Sequence, residues 1–144
     1  MSLNPAQSNW TVEVTFKADQ PDGIVLAHGG ASFGYCLALE EGAPVFAVVG
    51  NQKLSRVAAN QNVTGQWTTL RAQILPGAIT LTLNGQPAGR ALLKAPITRE
   101  PNDILNIGAD LGSVVLGKNR PHFSGLIESV RIYGGDVTRA ADQK

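Results

Sequence analysis

Thr69-Leu-Arg-Ala-Gln-Ile-Leu-Pro-Gly-Ala-Ile-Thr-Leu-Thr-Leu-Asn-Gly85 is the stretch that decides the fold. Leu70, Ala72 and Ile74 alternate with Thr69, Arg71 and Gln73, and Ile79, Leu81 and Leu83 alternate with Thr80 and Thr82. A period of two puts one set of side chains on a core and the other in water, as a half-buried antiparallel strand requires. Pro76-Gly77 separates the two runs, and Asn84-Gly85 ends the second. Asn and Gly both tolerate positive φ, so this dipeptide predicts a hairpin from Ile79 to about Arg90.

The same period extends outward. Trp10, Val12, Val14 and Phe16 alternate with Thr11, Glu13 and Thr15. Further strands are expected at Ile24–His28, Tyr35–Glu40, Val45–Val49, Ser55–Ala59, Leu105–Ala109 and Leu126–Tyr133. Turn signals part them at Pro21-Asp22-Gly23, Gly29-Gly30, Glu41-Gly42 and Gly50-Asn51. No stretch carries helical spacing with caps, and no internal repeat is present. Many short strands at roughly 8–12-residue intervals indicate a sandwich or barrel. The expected fold is all-β, a two-sheet antiparallel jelly-roll sandwich over residues 9–135, with frayed ends at 1–8 and 136–144.

Composition sets outer bounds. A chain of 144 residues suits one domain. With 43% hydrophobic and 16% charged residues it can fill a core and is too weakly charged for disorder. The net charge of +1 is spread along the chain with no basic stripe, which argues against nucleic acid as a partner. No apolar run approaches the roughly 18 residues of a membrane span. Cys36 is the only cysteine, so no intrachain disulfide can form, and it is expected to be a small buried hydrophobe. Met1-Ser2-Leu3-Asn4-Pro5 lacks the basic and apolar segments of a signal peptide.

Several segments resemble a laminin-G domain of the concanavalin A-like class. These are Phe16-Lys-Ala-Asp-Gln-Pro-Asp-Gly-Ile-Val-Leu-Ala-His-Gly-Gly30, then Tyr35-Cys-Leu-Ala-Leu-Glu-Glu-Gly42, then the hairpin Ile79-Thr-Leu-Thr-Leu-Asn-Gly-Gln-Pro87. Leu105-Asn-Ile-Gly-Ala-Asp110 and Phe123-Ser-Gly-Leu-Ile-Glu-Ser-Val-Arg-Ile-Tyr133 are similar to the closing strands of that family. The resemblance covers about residues 9–134. A narrower one joins Pro96-Ile-Thr-Arg-Glu-Pro-Asn-Asp-Ile-Leu-Asn-Ile-Gly-Ala-Asp-Leu-Gly-Ser-Val-Val115 and Phe123-Ser-Gly-Leu-Ile-Glu128. Both are similar to the C-terminal β-sandwich of bacterial sulfatases, and Ala27-His28-Gly29-Gly30 echoes the same group. The resemblance implies a piece of a larger exported enzyme, extracellular or periplasmic, whose export signal, if any, lies upstream. The sulfatase Cys/Ser-x-Pro-x-Arg segment is absent, since Cys36 is followed by Leu37-Ala38-Leu39. The partner so implied is the catalytic domain of the parent protein.

Laminin-G domains often hold Ca²⁺ at the rim through two loop Asp residues. Calcium wants six to eight oxygens, so loops must converge. The resemblance puts Asp110 at one ligand position, but the loop 29–34 that should supply the other contains no carboxylate. Asp110 as a turn cap is the alternative. A platform for sulfated polysaccharide would pair sulfates with Arg99, Lys118 and Arg120, beside His122 and with Arg90 at the same rim. Of the rings, Trp10 is in phase with the core and Trp67 is expected to pack too. Tyr35, Phe33, His122 and Tyr133 remain as candidates for exposure.

Two enzymatic patterns fail on physical grounds. Gly30-Ala31-Ser32-Phe33-Gly34 fits G-x-S-x-G, with Asp103 or Asp110 and then His122 in triad order. That motif needs a strand turning into a helix, whereas Tyr35–Leu39 reads as a strand. The adjacent Glu40 and Glu41 point to opposite sides. Glu128, sharing parity with Val130 and Ile132, is expected to pair with an Arg or backbone donors rather than with a second carboxylate. His28, in phase with Ile24 and Leu26, is expected to be a semi-buried satisfied side chain. The sequence thus leaves three readings: a non-catalytic accessory domain, a carbohydrate-binding module for sulfated polysaccharide, and a calcium-dependent adhesion module.

Overall fold

A computed structural model of the chain describes residues 9–29, 33–97, 105–108, 115 and 121–134. Its strands are β1 (Trp10–Ala18), β2 (Gly23–Gly29), β3 (Gly34–Glu40), β4 (Ala43–Gly50) and β5 (Lys53–Ala58). They continue as β6 (Trp67–Leu75), β7 (Ala78–Leu83), β8 (Gln86–Leu92), β9 (Leu105–Ile107) and β10 (Gly125–Gly134). No helix occurs among the described residues. Sheet A has the order β10-β1-β6-β7-β8 and sheet B the order β5-β4-β3-β2-β9, with every strand pair antiparallel. The two-sheet antiparallel sandwich expected from the alternation is the architecture found. The expected frayed ends, 1–8 and 136–144, lie outside the described residues.

Sheet A obeys the alternation in its sequence. Val12, Val14, Leu70, Ala72, Ile79 and Leu81 fill the space between the sheets. Glu13, Thr15, Thr69, Arg71, Gln73, Thr80 and Thr82 face outward, whereas Thr68 of β6 is buried. Asn84 and Gly85 take φ values of 49° and 83°, which closes the β7–β8 hairpin as the dipeptide predicts.

Sheet B is built differently. β2, β3 and β4 are buried on both faces. Their large side chains (Leu26, Tyr35, Leu37, Leu39, Phe46, Val48) point at sheet A. Their small ones (Ala27, Cys36, Ala38, Ala47) form a second apolar cluster with Ile24, Val49 and Val115 on the outer face. Small side chains leave room for Val115, which is buried among them. Cys36 is buried in the same cluster, as expected. The outer face of β2, β3 and β4 is therefore buried, while the edge strands β5 and β9 keep exposed side chains.

Two bulges move side chains from the faces that simple parity assigns. In β2 the register shifts between Ile24 and Leu26, so Val25 and Leu26 both point inward while Ile24 joins the outer cluster. His28 follows Leu26, is buried, and sets its ring edge-on to Tyr35 at 5.6 Å between centroids. In β10, Thr15 pairs with Ser129 and Phe16 with Ile127, which leaves Glu128 as the extra residue. Glu128 is thus exposed and does not share the side of Val130 and Ile132, contrary to its sequence parity. Among the described residues it forms no ion pair.

Tyr35 corrects a second expectation. It is fully buried rather than an exposed ring. Its hydroxyl has no hydrogen-bond partner, and the Trp10 indole N–H, also buried and unpaired, lies near it. Burial pushes the phenol from an ordinary 10.0 up to about 12, with the Trp10 N–H opposing the shift. The folded protein therefore holds this proton more tightly than the unfolded chain. The associated stability is complete below pH 10 and is lost as pH rises through about 12. A shift of this size is worth roughly 2–3 kcal/mol. Tyr35→Phe should leave neutral-pH stability within about 1 kcal/mol, because no hydrogen bond is lost. It should also flatten the alkaline fall. Denaturant unfolding of both proteins below pH 10 and near pH 12 checks this, and parallel pH curves would exclude it.

Candidate functional site

With β2, β3 and β4 buried outside as well as inside, the open face is the outer one of sheet A. Strand register lays its side chains in rows across the strands. One row runs Tyr133, Thr11, Gln73, Thr80, Arg90, with Thr11 buried beneath its neighbours. The next runs Arg131, Glu13, Arg71, Thr82, and the next Ser129, Thr15, Thr69. The last described row is Leu126, Lys17, Trp67.

Hydrogen bonds along the rows hold these side chains in place. Arg71 donates from Nε (3.1 Å) and Nη2 (2.9 Å) to Oε2 of Glu13, leaving Glu13 Oε1 and Arg71 Nη1 outside the pair. The pair is partly exposed, so it orients two groups more than it stabilises the fold. Thr15 and Thr69 share a hydroxyl bond of 2.9 Å. Gln73 reaches Thr11 and accepts from Thr80, each at 3.4 Å. Asn84 accepts the Thr69 backbone N–H through Oδ1 at 2.8 Å. A shallow pocket of about 370 Å³ opens here between Glu13, Thr69, Arg71, Thr82, Asn84 and Gly85.

Trp67 stands beside this pocket. It is 49% exposed, on the same side of β6 as Thr69 and Arg71. The expectation that it packs in the core is wrong, and the reason is parity: Leu70, Ala72 and Ile74 occupy even positions and Trp67 an odd one. Leu126, 60% exposed, flanks Lys17 on its other side. The face also carries Lys17, Arg71, Arg131 and Arg90 against Glu13 and, at the β10 bulge, the exposed Glu128. It can therefore offer a flat ring, apolar C–H contact and several guanidinium or ammonium donors to an extended, negatively charged ligand.

The residues singled out from sequence fare unequally. Arg90 lies on this face, opposite Thr80. Arg99, Lys118, Arg120 and Asp110 lie outside the described residues, as do Ser32 and Asp103. His122 is exposed but bridges to Ile24 of sheet B, so it is no part of the rows on sheet A. Gly34–Glu40 is a strand, as expected after the G-x-S-x-G match. Glu40 is tied to Arg56, and Glu41 sits in the turn at φ 52° with its N–H donated to Asp22. Among the described residues no group of three or more His, Cys, Asp and Glu could hold a metal ion. No helix there is long and apolar enough to cross a membrane. Sequence reasoning missed Lys17, Trp67, Arg71 and Arg131, whose signal was their shared out-of-core parity.

Comparison with known proteins agrees with this architecture. No curated protein matches the chain. Among solved structures, the laminin α1 chain of mouse, domains LG4–5, superposes with a TM-score of 0.75 at 18% identity. That match covers 95% of this chain and 40% of that one. The CBM40 domain of a Ruminococcus gnavus IT-sialidase, bound to α2,3-sialyllactose, superposes with a TM-score of 0.70 at 16% identity. It covers 90% of this chain and 77% of that one. The LG1–3 region of the laminin α2 chain gives 0.70 at 15% identity, over 87% of this chain and 28% of that one. At such identities the likeness is one of fold, and this chain spans well under half of either laminin structure. A laminin-G family model described as the concanavalin A-like lectin/glucanases superfamily matches residues 2–141, so the chain belongs to the concanavalin A-like lectin/glucanase superfamily.

Proposed function

We propose that this chain is a non-catalytic accessory domain of a larger exported enzyme and that it holds a sulfated polysaccharide on the outer face of sheet A. The observation that carries the reading is the contrast between the two outer faces. One is buried across β2, β3 and β4, and the other is open, rich in Arg and Lys, and bordered by the exposed Trp67. A sulfate accepts hydrogen bonds and carries charge, which suits guanidinium donors, and a pyranose ring presents C–H groups that suit an indole face. The CBM40 neighbour, solved with a sialylated lactose, supports glycan recognition on this architecture. The resemblance of 96–115 and Phe123–Glu128 to sulfatase C-terminal domains supports a sulfatase as the parent, whose catalytic domain would be the partner in the same chain.

Affinity electrophoresis in gels containing dextran sulfate or dextran tests the reading. Dextran sulfate should retard the protein and dextran should not, and added salt should weaken the effect because the charges are exposed. Trp67→Ala and Arg131→Ala should each weaken retention about tenfold, the effect of roughly 1.4 kcal/mol. Arg131 is exposed, so its variant should change stability by no more than about 0.5 kcal/mol, and loss of the half-exposed Trp67 ring should cost about 1–2 kcal/mol, too little to unfold the domain. Retention by neither polymer, or equal retention of wild type and both variants, would overturn the proposal.

A further inference from the structure

A second pocket lies around the corner from the first. It has a volume of about 390 Å³ and sits where the β5–β6 connection meets the β7–β8 turn. Asn60, Gln61, Asn84 and Gln86 line it, with Pro87 and Leu83 among its apolar residues and no charged side chain. Asn84 lines both pockets, so the two form one path over the hairpin tip.

We propose that this rim pocket is a subsite for an unsulfated sugar residue, adjoining the charged face that takes a sulfated one. The inference rests on the reading of sheet A as a polysaccharide site and names what that site selects. A carboxamide carries donors and an acceptor, which match the paired donor and acceptor of a sugar hydroxyl. A sulfate is an acceptor with negative charge. This pocket offers it amide N–H groups but no cation, so a sulfate gains less here than on the charged face, whereas a hydroxyl uses both the donor and the acceptor of a free amide. Pro87 and Leu83 provide apolar contact for the C–H side of the ring.

The pocket walls are held in place before a ligand arrives. Asn84 is fixed by its backbone N–H to Thr69 O and by its Oδ1 to Thr69 N–H, both at 2.8 Å, which leaves the side-chain NH₂ for a ligand. Asn60 and Gln61 lie between two anchors. Ala59 is buried and donates to Pro44 O at 2.8 Å, and Val63 is buried and donates to Gly42 O at 2.9 Å. The Asn84 amide is thus fixed before binding, and the backbone that carries Asn60 and Gln61 is held at both ends, which lowers the ordering cost. The two pockets together therefore select a polymer in which sulfated and unsulfated residues are neighbours.

The test compares κ-carrageenan, in which sulfated and unsulfated residues alternate, with a dextran sulfate carrying sulfate on every residue. The double variant Asn60→Ala/Gln86→Ala changes two exposed side chains and spares Asn84, which closes the hairpin. It should bind κ-carrageenan about tenfold more weakly than wild type and dextran sulfate within about twofold. In the ¹⁵N-labelled protein, κ-carrageenan oligosaccharides should shift the side-chain amide signals of Asn60, Gln61 and Gln86. Equal loss for both polymers, loss for neither, or shifts confined to the Trp67 indole and the Arg71 guanidinium would overturn the rim subsite while leaving the charged face intact. Failure of wild type to bind either polymer would remove the charged face first and the rim subsite with it.

Discussion

Gly125→Ala is expected to cost about 4 kcal/mol and to lower Tm by roughly 10–15 °C. Gly125 opens β10 opposite Ala18 of β1, at a φ of 146° that side-chain-bearing residues rarely adopt. A Cβ there would stand 2.1 Å from the carbonyl oxygen of Lys17 and 3.0 Å from the Cα of Ala18. Both are backbone atoms of the partner strand and cannot rotate aside. Backbone strain of this kind costs about 1–3 kcal/mol, and forcing a methyl into filled space about as much again. Against a total of roughly 5–15 kcal/mol for a domain, that is a large share. The β1–β10 register also sets Arg131 beside Glu13 and Leu126 beside Lys17, so polysaccharide retention should fall with the fold. Thermal and denaturant unfolding measure the loss. A change below about 1 kcal/mol would mean that the two strands do not meet in this register.

Phe46→Ala should cost about 3–5 kcal/mol. Phe46 is fully buried on β4 and packs edge-on against Tyr35 at 6.4 Å, so it belongs to the layer between the sheets. Removing the ring leaves a cavity walled by two sheets whose backbones are tied into ladders, and such walls collapse little. Cys36→Ala, one strand over but on the outer cluster, removes a single sulfur and should cost less than about 1.5 kcal/mol. The contrast between neighbouring strands is the check. Equal losses would mean that the large and small faces of sheet B are not segregated as described.

The fold was legible wherever side chains alternate. β1, β6 and β7 follow their period, and Asn84-Gly85 sits at the turn it predicts. The errors arose where something other than the period decides. A bulge cannot be seen in hydrophobicity alone, and it moved Glu128 from the face that its parity assigns. The runs through β2, β3 and β4 are apolar throughout, so their period cannot say which side faces the other sheet. The division of large from small residues does say it, and puts Tyr35 with Leu37 and Leu39. Trp67 opens the strand that leads to Leu70 and Ile74, which suggests packing, but its odd position turns it outward. The open face eluded the sequence reading for another reason. Lys17, Arg71 and Arg131 are far apart in the chain, and only strand register assembles them into rows. Arg99, Lys118, Arg120 and Asp110, chosen as loop residues, fall outside the described structure.

The neighbouring positions of β1 and β10 decide how the domain bears a load. Trp10 lies directly opposite Gly134, so tension applied through these two residues enters one end of a single antiparallel ladder. Ladder hydrogen bonds in such a pair lie across the strands, and this tension opens them one after another instead of shearing them together. The unloaded domain should therefore peel at low force, whatever its stability at rest. A polymer lying from Arg131 on β10 across Glu13 on β1 to Arg71 on β6 would bridge that seam, so that the bound ligand becomes a mechanical clasp on the module that holds it.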